Sequence, residues 1–518
     1  MQRLGGWVMS SPWVEVLVFL VLAAIYLYNS ASLTFPAGYA GLYALMSEGL
    51  TRQPLPLPSE IPYYGPGGIP FAYPPLGAYL AALFIGPLRV PLFDYLRWAP
   101  AIVTLLSMVA LYFVGRQLLG DRLKALVAVV VASCAEITYV YHARASGMVR
   151  SLALLWALLG AYFALRAFAQ RRRWLATSLL AGLCLALAVM THLAYAVFLG
   201  LAIPLMAIFA APGRDAAERG KVLGVILLSG LILSAPWWGT ALGRYGTVVF
   251  FKAAQTHGTL DLFEDSGGSP LAALRLLLRG FVNFGLLWWP TFLAALSLAG
   301  LAYAVANGRW LLPVWMLAVF VVLGEADRFE ILLSGLLIGD LLVDISRMAR
   351  GPALWRISVG TEKAGGLVFL AIVLVPILVL GFRGIQWTEI ALSGELVEAS
   401  HWIAANVPPE SRYLYVGENH DVGEWLPYLT RRTPGIGFWG AEWTGDYKRQ
   451  VALEAEMSAC AQAQQLSCVD RLISTIGADV QLLVVPAGRS QLRRQISRVA
   501  DWEEVFSNGG YAVYQARR

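Results

Sequence analysis

The run Glu136-Ile137-Thr138-Tyr139-Val140-Tyr141-His142-Ala143-Arg144-Ala145-Ser146 gathers a carboxylate, an imidazole and a guanidinium in one short, otherwise apolar stretch. A carboxylate there could accept a proton or hold a cation. An acid deep in apolar surroundings is expensive unless paired, so Glu136 is a functional candidate by default. On a helix Glu136 shares a face with Tyr139 or Val140, whereas His142 does not stack on it. Arg144 or Arg150 as an internal partner of Glu136 is the alternative. His192, after Met190-Thr191, occupies a turn between two apolar runs. It either lines a cavity or is a hydrogen-bonded packing residue. Arg328, in Gly324-Glu325-Ala326-Asp327-Arg328-Phe329, offers a planar fork of donors suited to anionic oxygens. Asp327 and Glu330 stand beside it and could simply neutralise it. Glu48 lies on an expected surface helix and Glu60 opens a glycine- and proline-rich stretch, each either a solvated loop acid or aimed into a cavity. No His-x-x-x-His or clustered His/Cys spacing occurs, although carboxylates could still hold a divalent ion.

What positions these residues is set by composition. Of 518 residues, 58% are hydrophobic and only 14% charged, against about 25% charge in an ordinary globular protein. Mean hydropathy is +0.62. These values exclude disorder, a fibrous repeat and a purely water-soluble enzyme, and they leave a polytopic membrane protein. The formal charge of +6 is spread between apolar runs rather than massed on one face, which argues against nucleic acid as a partner. A crossing helix needs about 20 mostly apolar residues. That window predicts spans at 13–30, 98–116, 124–142, 148–167, 175–191, 193–211, 221–238, 286–306, 310–324, 329–346 and 366–382, about eleven in all. Residues 175–211 read either as one long run or as a hairpin broken near Thr191-His192, and an interfacial helix may be expected within 268–290.

Basic residues fix the expected orientation. Arg116, Arg122 and Lys124, then Arg171, Arg172 and Arg173, then Arg214, Arg219 and Lys221 fall in loops on one side, as do Arg309, Arg347 and Arg350. That side is the cytoplasm. The amino terminus is then inside, the first segment a retained anchor rather than a signal cleaved near Ser30-Ala31-Ser32. Two domains follow: a transmembrane portion, 1–384, and an extracytoplasmic α/β domain, 385–518. The latter shows a helix signal from Glu395 to Val407, and strand-like runs at Tyr413–Val416, Val480–Val485 and Tyr511–Tyr514. Cys460 and Cys468 within it are either bonded or free thiols; Cys134 and Cys184 are packing residues in spans. The external loop 239–270, with Gly258, Gly267, Gly268, Asp261, Glu264 and Asp265, reads as a mobile gate or a linker. Arg275 and Arg279 share a helix face and could bind headgroups; Asp340 and Asp344 pair structurally with Arg347.

The loop 31–97 is the most particular segment. Leu55-Pro56-Leu57-Pro58 and Pro62-Tyr63-Tyr64-Gly65-Pro66-Gly67-Gly68-Ile69-Pro70 exclude helix and central strand. Surface helices are expected at 38–50 and 76–88, the second entered through Tyr73-Pro74-Pro75-Leu76. After one crossing, this long loop leads to a span opening with Arg97-Trp98-Ala99-Pro100 and closing on Gly115-Arg116-Gln117-Leu118-Leu119-Gly120, with many spans and an external tail beyond. The layout resembles the GT-C superfamily of integral-membrane glycosyltransferases, in particular the protein mannosyltransferase and aminoarabinose transferase branch (family 39-like). Trp402-Ile403-Ala404-Ala405-Asn406-Val407-Pro408 and Glu424-Trp425-Leu426-Pro427-Tyr428-Leu429-Thr430-Arg431-Arg432 are similar to tails of prokaryotic members.

The resemblance implies sugar transfer from a polyprenyl-phosphate donor to an unidentified extracytoplasmic acceptor at the plasma membrane, among membrane lipids. It implies Glu48, Glu60 or Glu136 as base or metal ligand, and Arg328 with Arg144 on the donor phosphate. Tyr63, Tyr64, Tyr73, His142 and His192 would contact substrate. One departure counts against simple transfer of these roles. The family carries an acid shortly after the first span, whereas Phe35-Pro36-Ala37-Gly38-Tyr39-Ala40-Gly41-Leu42-Tyr43 has none. Hence the alternative of a catalytically degenerate scaffold, a lipid-binding or assembly subunit of an envelope complex. A secondary transporter fits less well, because no twofold repeat of broken spans is visible.

Overall fold

The computed structural model describes residues 13–65, 67–254, 256, 269, 271–272, 291–323, 326–348, 362–386, 391–477 and 479–517. Contacts divide the chain into two compact units, one from 1–33, 98–238 and 257–388, the other from 34–97, 239–256 and 389–518. The first loop therefore groups with the tail rather than with the span that precedes it.

The first unit is helical. Among the described residues, four helices are long and apolar enough to cross a membrane: Trp13–Ser32, Leu92–Leu119, Gly147–Ala169 and Ala216–Tyr245. Shorter apolar helices include Trp174–Val189, Leu193–Phe209, Thr291–Ala306 and Leu311–Val322, and Asp327–Met348 and Glu362–Gln386 belong to the same unit. Helices lie within the described parts of the expected segments, and the break at Thr191-His192 makes 175–211 two helices rather than one. Arg275, Arg279, the interfacial helix expected in 268–290, and Gly258, Asp261, Glu264, Asp265, Gly267 and Gly268 lie outside the described residues, apart from isolated positions.

The expected continuous span over 124–142 is instead broken. Arg122–Ser133 ends at Cys134, and Glu136–Ala143 departs at 73°. A broken helix frees backbone carbonyls that lipid cannot satisfy. Here the Tyr26 hydroxyl donates to Ser133 O at 2.8 Å. Gly381 approaches the break so closely that a Cβ on it would lie 2.2 Å from Cys134 O. Glycines serve the same end nearby: a Cβ on Gly335 or Gly339 would lie 2.7 Å from Ala128 O or 2.4 Å from Lys124 O. Those small residues let Asp327–Met348 pack backbone to backbone on Arg122–Ser133. At that contact Lys124 Nζ, buried, lies 2.7 Å from Asp340 and 2.6 Å from Asp344. Arg347 is 3.8 Å from Asp344, as the sequence suggested, but Lys124 is the nearer partner.

In the second unit, helices Gly41–Arg52 and Leu76–Ile85 flank a small antiparallel ribbon, β1 (Glu60–Ile61) on β2 (Ile69–Pro70). The tail carries a five-stranded sheet of β3 (Arg412–Tyr415), β4 (Thr433–Pro434), β5 (Val480–Pro486), β6 (Trp502–Ser507) and β7 (Tyr511–Ala516), in the order β4-β3-β5-β7-β6. β3 runs parallel to β4 and β5; β7 is antiparallel to β5 and β6. Leu414, Leu483, Val485, Leu472, Ile496 and Tyr514 form its core. Gly394–Asn406 is the helix expected before Pro408, capped by the Ser393 hydroxyl. Cys460 and Cys468 are disulfide-bonded, and Cys134 and Cys184 are buried free thiols.

Candidate functional site

In the first unit the bent span delivers the candidate residues. After the break, Glu136–Thr138 passes into a π-turn, Tyr139–Ala143, a local widening of the helix that recurs at functional sites. Within it His142 is buried, its Nδ1 3.1 Å from Thr138 O and its Nε2 2.7 Å from the Tyr195 hydroxyl. His192 caps the start of Leu193–Phe209 and sets its ring edge-on to Tyr195, centroids 5.3 Å apart. Arg328, 6% exposed, lies over the rings of Tyr141 (5.3 Å), Tyr195 (5.8 Å) and Phe329 (5.3 Å). Arg150 reaches the same Tyr141 ring at 5.3 Å. The structure therefore joins His142, His192 and Arg328 around two tyrosines, Tyr141 and Tyr195, to which the sequence reading gave no role. Cation–π contact with weakly hydrated guanidinium explains how two such charges stay in apolar surroundings.

Other residues of the run sit differently. Arg144 is half-buried just after the π-turn, in extended backbone. Glu136 is exposed at the bend, at the start of the second half of the broken helix pair. Glu330 is the buried acid instead. It is fully enclosed, and neither carboxylate oxygen has a hydrogen-bond partner among the described residues.

In the second unit, Glu48 is occupied. Its carboxylate accepts from Arg431 Nη2 at 2.9 and 3.0 Å and from the Tyr428 hydroxyl at 3.0 Å. Glu60 is exposed on β1 and lines an open cavity of about 350 Å³ with Gln53, Pro58, Ser59 and Arg244. Tyr63, half-buried, has a φ of +68°, a conformation that a bulky side chain seldom adopts. Tyr64 is only 2% exposed, so its ring has no face for a sugar; its hydroxyl donates to Glu424 O at 2.8 Å. Tyr73, half-buried, donates to the Glu442 carboxylate.

Glu424 and Glu442 are the acids that sequence reasoning missed. Glu424 Oε2 and Oε1 accept from the backbone N–H of Gly41 (2.6 Å) and Leu42 (2.7 Å), at the start of the first loop helix. Burial pushes its carboxyl up to about 7, although those two donors pull it down. No local spacing could reveal this, since the partners are 383 and 382 residues away. No group of three or more His, Cys, Asp or Glu side chains arranged to hold a metal occurs among the described residues.

With this geometry in view, comparison with known proteins is informative. A family model for dolichyl-phosphate-mannose-protein mannosyltransferases matches residues 72–239. The Archaeoglobus fulgidus oligosaccharyltransferase aligns over 99% of this chain and 75% of its own, with a TM-score of 0.58 and 13% identity. ArnT from Cupriavidus metallidurans aligns over 98% of both chains, with a TM-score of 0.55 and 14% identity. In fold, this chain is similar to these transferases. The mycobacterial arabinofuranosyltransferase AftD matches this chain at a TM-score of 0.57 and 16% identity, over 96% of this chain and 40% of its own length. No curated protein matches by sequence. The family match and the apolar helices support a membrane location for this chain.

Proposed function

We propose that this chain transfers a sugar from a polyprenyl-phosphate carrier to an acceptor outside the plasma membrane, with the amino terminus in the cytoplasm and the tail outside. The observation that carries this reading is Arg328, a buried guanidinium held against Tyr141, Tyr195 and Phe329 with His142 behind Tyr195. A preorganised cation in low-dielectric surroundings suits the charge that gathers on a departing phosphate. Arg150, over the same Tyr141 ring, adds positive charge beside it. Among the structural relatives, ArnT is described bound to undecaprenyl phosphate and the archaeal oligosaccharyltransferase in complex with a dolichol-phosphate, which supports a lipid-phosphate ligand here.

In the reaction, the acceptor hydroxyl attacks the anomeric carbon as its proton passes to a carboxylate. The carbon–oxygen bond to the phosphate breaks, and polyprenyl phosphate leaves with the electron pair. Glu136 is the better placed of the predicted acids, exposed and on the same bent span as His142. Glu60 is the next candidate, and Glu48 is held by Arg431. The test is donor turnover in membranes supplied with polyprenyl-phosphate sugars. Arg328→Ala should weaken donor binding at least tenfold, and Glu136→Gln should lower kcat by about 10²–10⁴ with donor binding kept. Full donor affinity in Arg328→Ala would overturn the assignment. A second reading, a lipid-binding scaffold without turnover, is favoured by one observation, the engagement of Glu48 by Arg431 and Tyr428. Bound carrier lipid without turnover in the wild type would establish it.

A further inference from the structure

Between Gly435 and Gly445 the tail places four glycines and three aromatic residues in eleven positions. Gly440 and Gly445 have φ of +82° and +83°, where any side chain is strained, so residue type fixes the turn. A Cβ on Gly440 would in addition lie 2.0 Å from Ile69 Cδ1. Between them the 3-10 turn Ala441–Trp443 is closed by Trp443 N–H to Gly440 O at 3.2 Å and Gly445 N–H to Ala441 O at 3.0 Å. This rigid turn presents Glu442, whose carboxylate accepts from the Tyr73 hydroxyl. Burial holds that carboxyl above the usual range. The Tyr73 ring stands edge-on to Trp443 at 5.1 Å and to Tyr43 at 6.5 Å, and Tyr39 lies 4.2 Å from Trp439. Trp443 and Tyr43 are buried as backing, while Tyr39, Tyr73, Trp439 and Glu442 remain partly exposed.

A partly open aromatic wall with one carboxylate selects a particular kind of ligand. A sugar ring offers a C–H face that packs on the electron-rich face of an aromatic ring. Its hydroxyls donate to a carboxylate in charge-assisted hydrogen bonds. An alkyl chain would gain nothing from Glu442, and Lys252 Nζ, the cation nearby, is engaged by Thr444 O at 2.9 Å. We propose that Tyr39, Tyr73, Trp439 and Glu442, backed by Trp443, form a binding subsite for a neutral saccharide. Its role as the acceptor site rests on the transfer reading above; saccharide binding itself does not.

The experiment uses full-length protein in detergent, applied to an array of neutral glycans, with undecaprenyl phosphate binding measured on the same preparations. The wild type should retain a subset of glycans. Trp439→Ala and Glu442→Gln should each weaken that retention about tenfold, with undecaprenyl phosphate binding unchanged. Trp439→Phe, which keeps a stacking face, should retain glycan within about threefold. No glycan retained by the wild type, or equal retention by Trp439→Ala and Glu442→Gln, would overturn the subsite. Loss of undecaprenyl phosphate binding in the wild type, with glycans still retained, would instead sink the transfer reading and leave the subsite standing.

Discussion

The Glu424 carboxylate caps the helix that begins at Gly41, accepting from the Gly41 and Leu42 N–H groups at 2.6 and 2.7 Å. The segment 35–43 has no acid of its own, and the tail supplies one to its end. Anionic oxygens at a helix start satisfy orphan donors and complement the helix dipole. Glu424→Ala should therefore destabilise the protein by about 2–3 kcal/mol, since each charged hydrogen bond is worth roughly 1.5–3 kcal/mol. Gly41→Ala should be comparably harmful, because the added Cβ would lie 2.4 Å from Glu424 O. Thermal unfolding and proteolysis of the tail would measure both, and unchanged melting in either variant would refute the cap.

The same contact makes stability depend on pH. Burial raises the Glu424 carboxyl from an ordinary 4.5 to about 7. The folded state then holds the proton more tightly than the unfolded one, so this contribution is complete below about pH 4.5 and is lost as pH rises through 7. Melting temperature should fall between pH 5 and pH 8, and Glu424→Gln, which cannot ionise, should flatten that slope. An equal slope in wild type and variant would show that other groups set it.

Patterns that repeat within a few residues were legible in the sequence; contacts made across hundreds of residues were not. Apolar runs marked the helices because lipid-facing and buried faces are both greasy. Tyr413–Val416 and Val480–Val485 marked strands for the corresponding reason. The break before Glu136 was invisible, because the groups packed on it, Gly381 at Cys134 and Tyr26 at Ser133, are distant in sequence. Likewise His142, His192 and Arg328 could be named singly, but not the tyrosines that assemble them. Tyr195, three residues after His192, was the one cue within reach.

Glu48 and Arg431 illustrate how such distant partners change a residue's expected role. Their contact at 2.9 Å is partly solvated, with side-chain exposures of 23% and 32%, so its coupling should be below about 1 kcal/mol. A double-mutant cycle on Glu48→Gln and Arg431→Gln, read by thermal unfolding, should return that small value. Turnover by Glu48→Gln should stay within about threefold of wild type if the carboxylate serves only this pairing, whereas a proton acceptor would lose about 10²-fold or more.

Lys124 should behave very differently from that surface pair. It is 5% exposed and lies between Asp340 and Asp344, with the Tyr303 hydroxyl 2.9 Å from the second. Lys124→Met removes the buried cation and leaves Asp340 and Asp344 only the half-exposed Arg309 and Arg347, at a cost of about 3 kcal/mol. Adding Asp340→Leu should recover part of that loss, because an apolar pair can replace a buried ionic one. Folded yield in detergent reports both steps, and a double variant no better than Lys124→Met would mean that the ions do not act as a unit.

Arg328→Lys separates charge from shape at the proposed phosphate site. Lysine keeps the positive charge but loses the planar fork, the weak hydration and the fit against Tyr141, Tyr195 and Phe329. A strongly hydrated ammonium is less well tolerated in that aromatic enclosure. If Arg328 acts through bidentate contact with a phosphate, the lysine variant should bind undecaprenyl phosphate about tenfold more weakly than wild type. Tyr141→Phe should change binding little, since the ring that faces the guanidinium is kept, whereas Tyr141→Ala should resemble Arg328→Lys because the cation loses its aromatic support. Wild-type affinity in both Arg328→Lys and Tyr141→Ala would mean that the enclosure plays no part in holding the lipid phosphate.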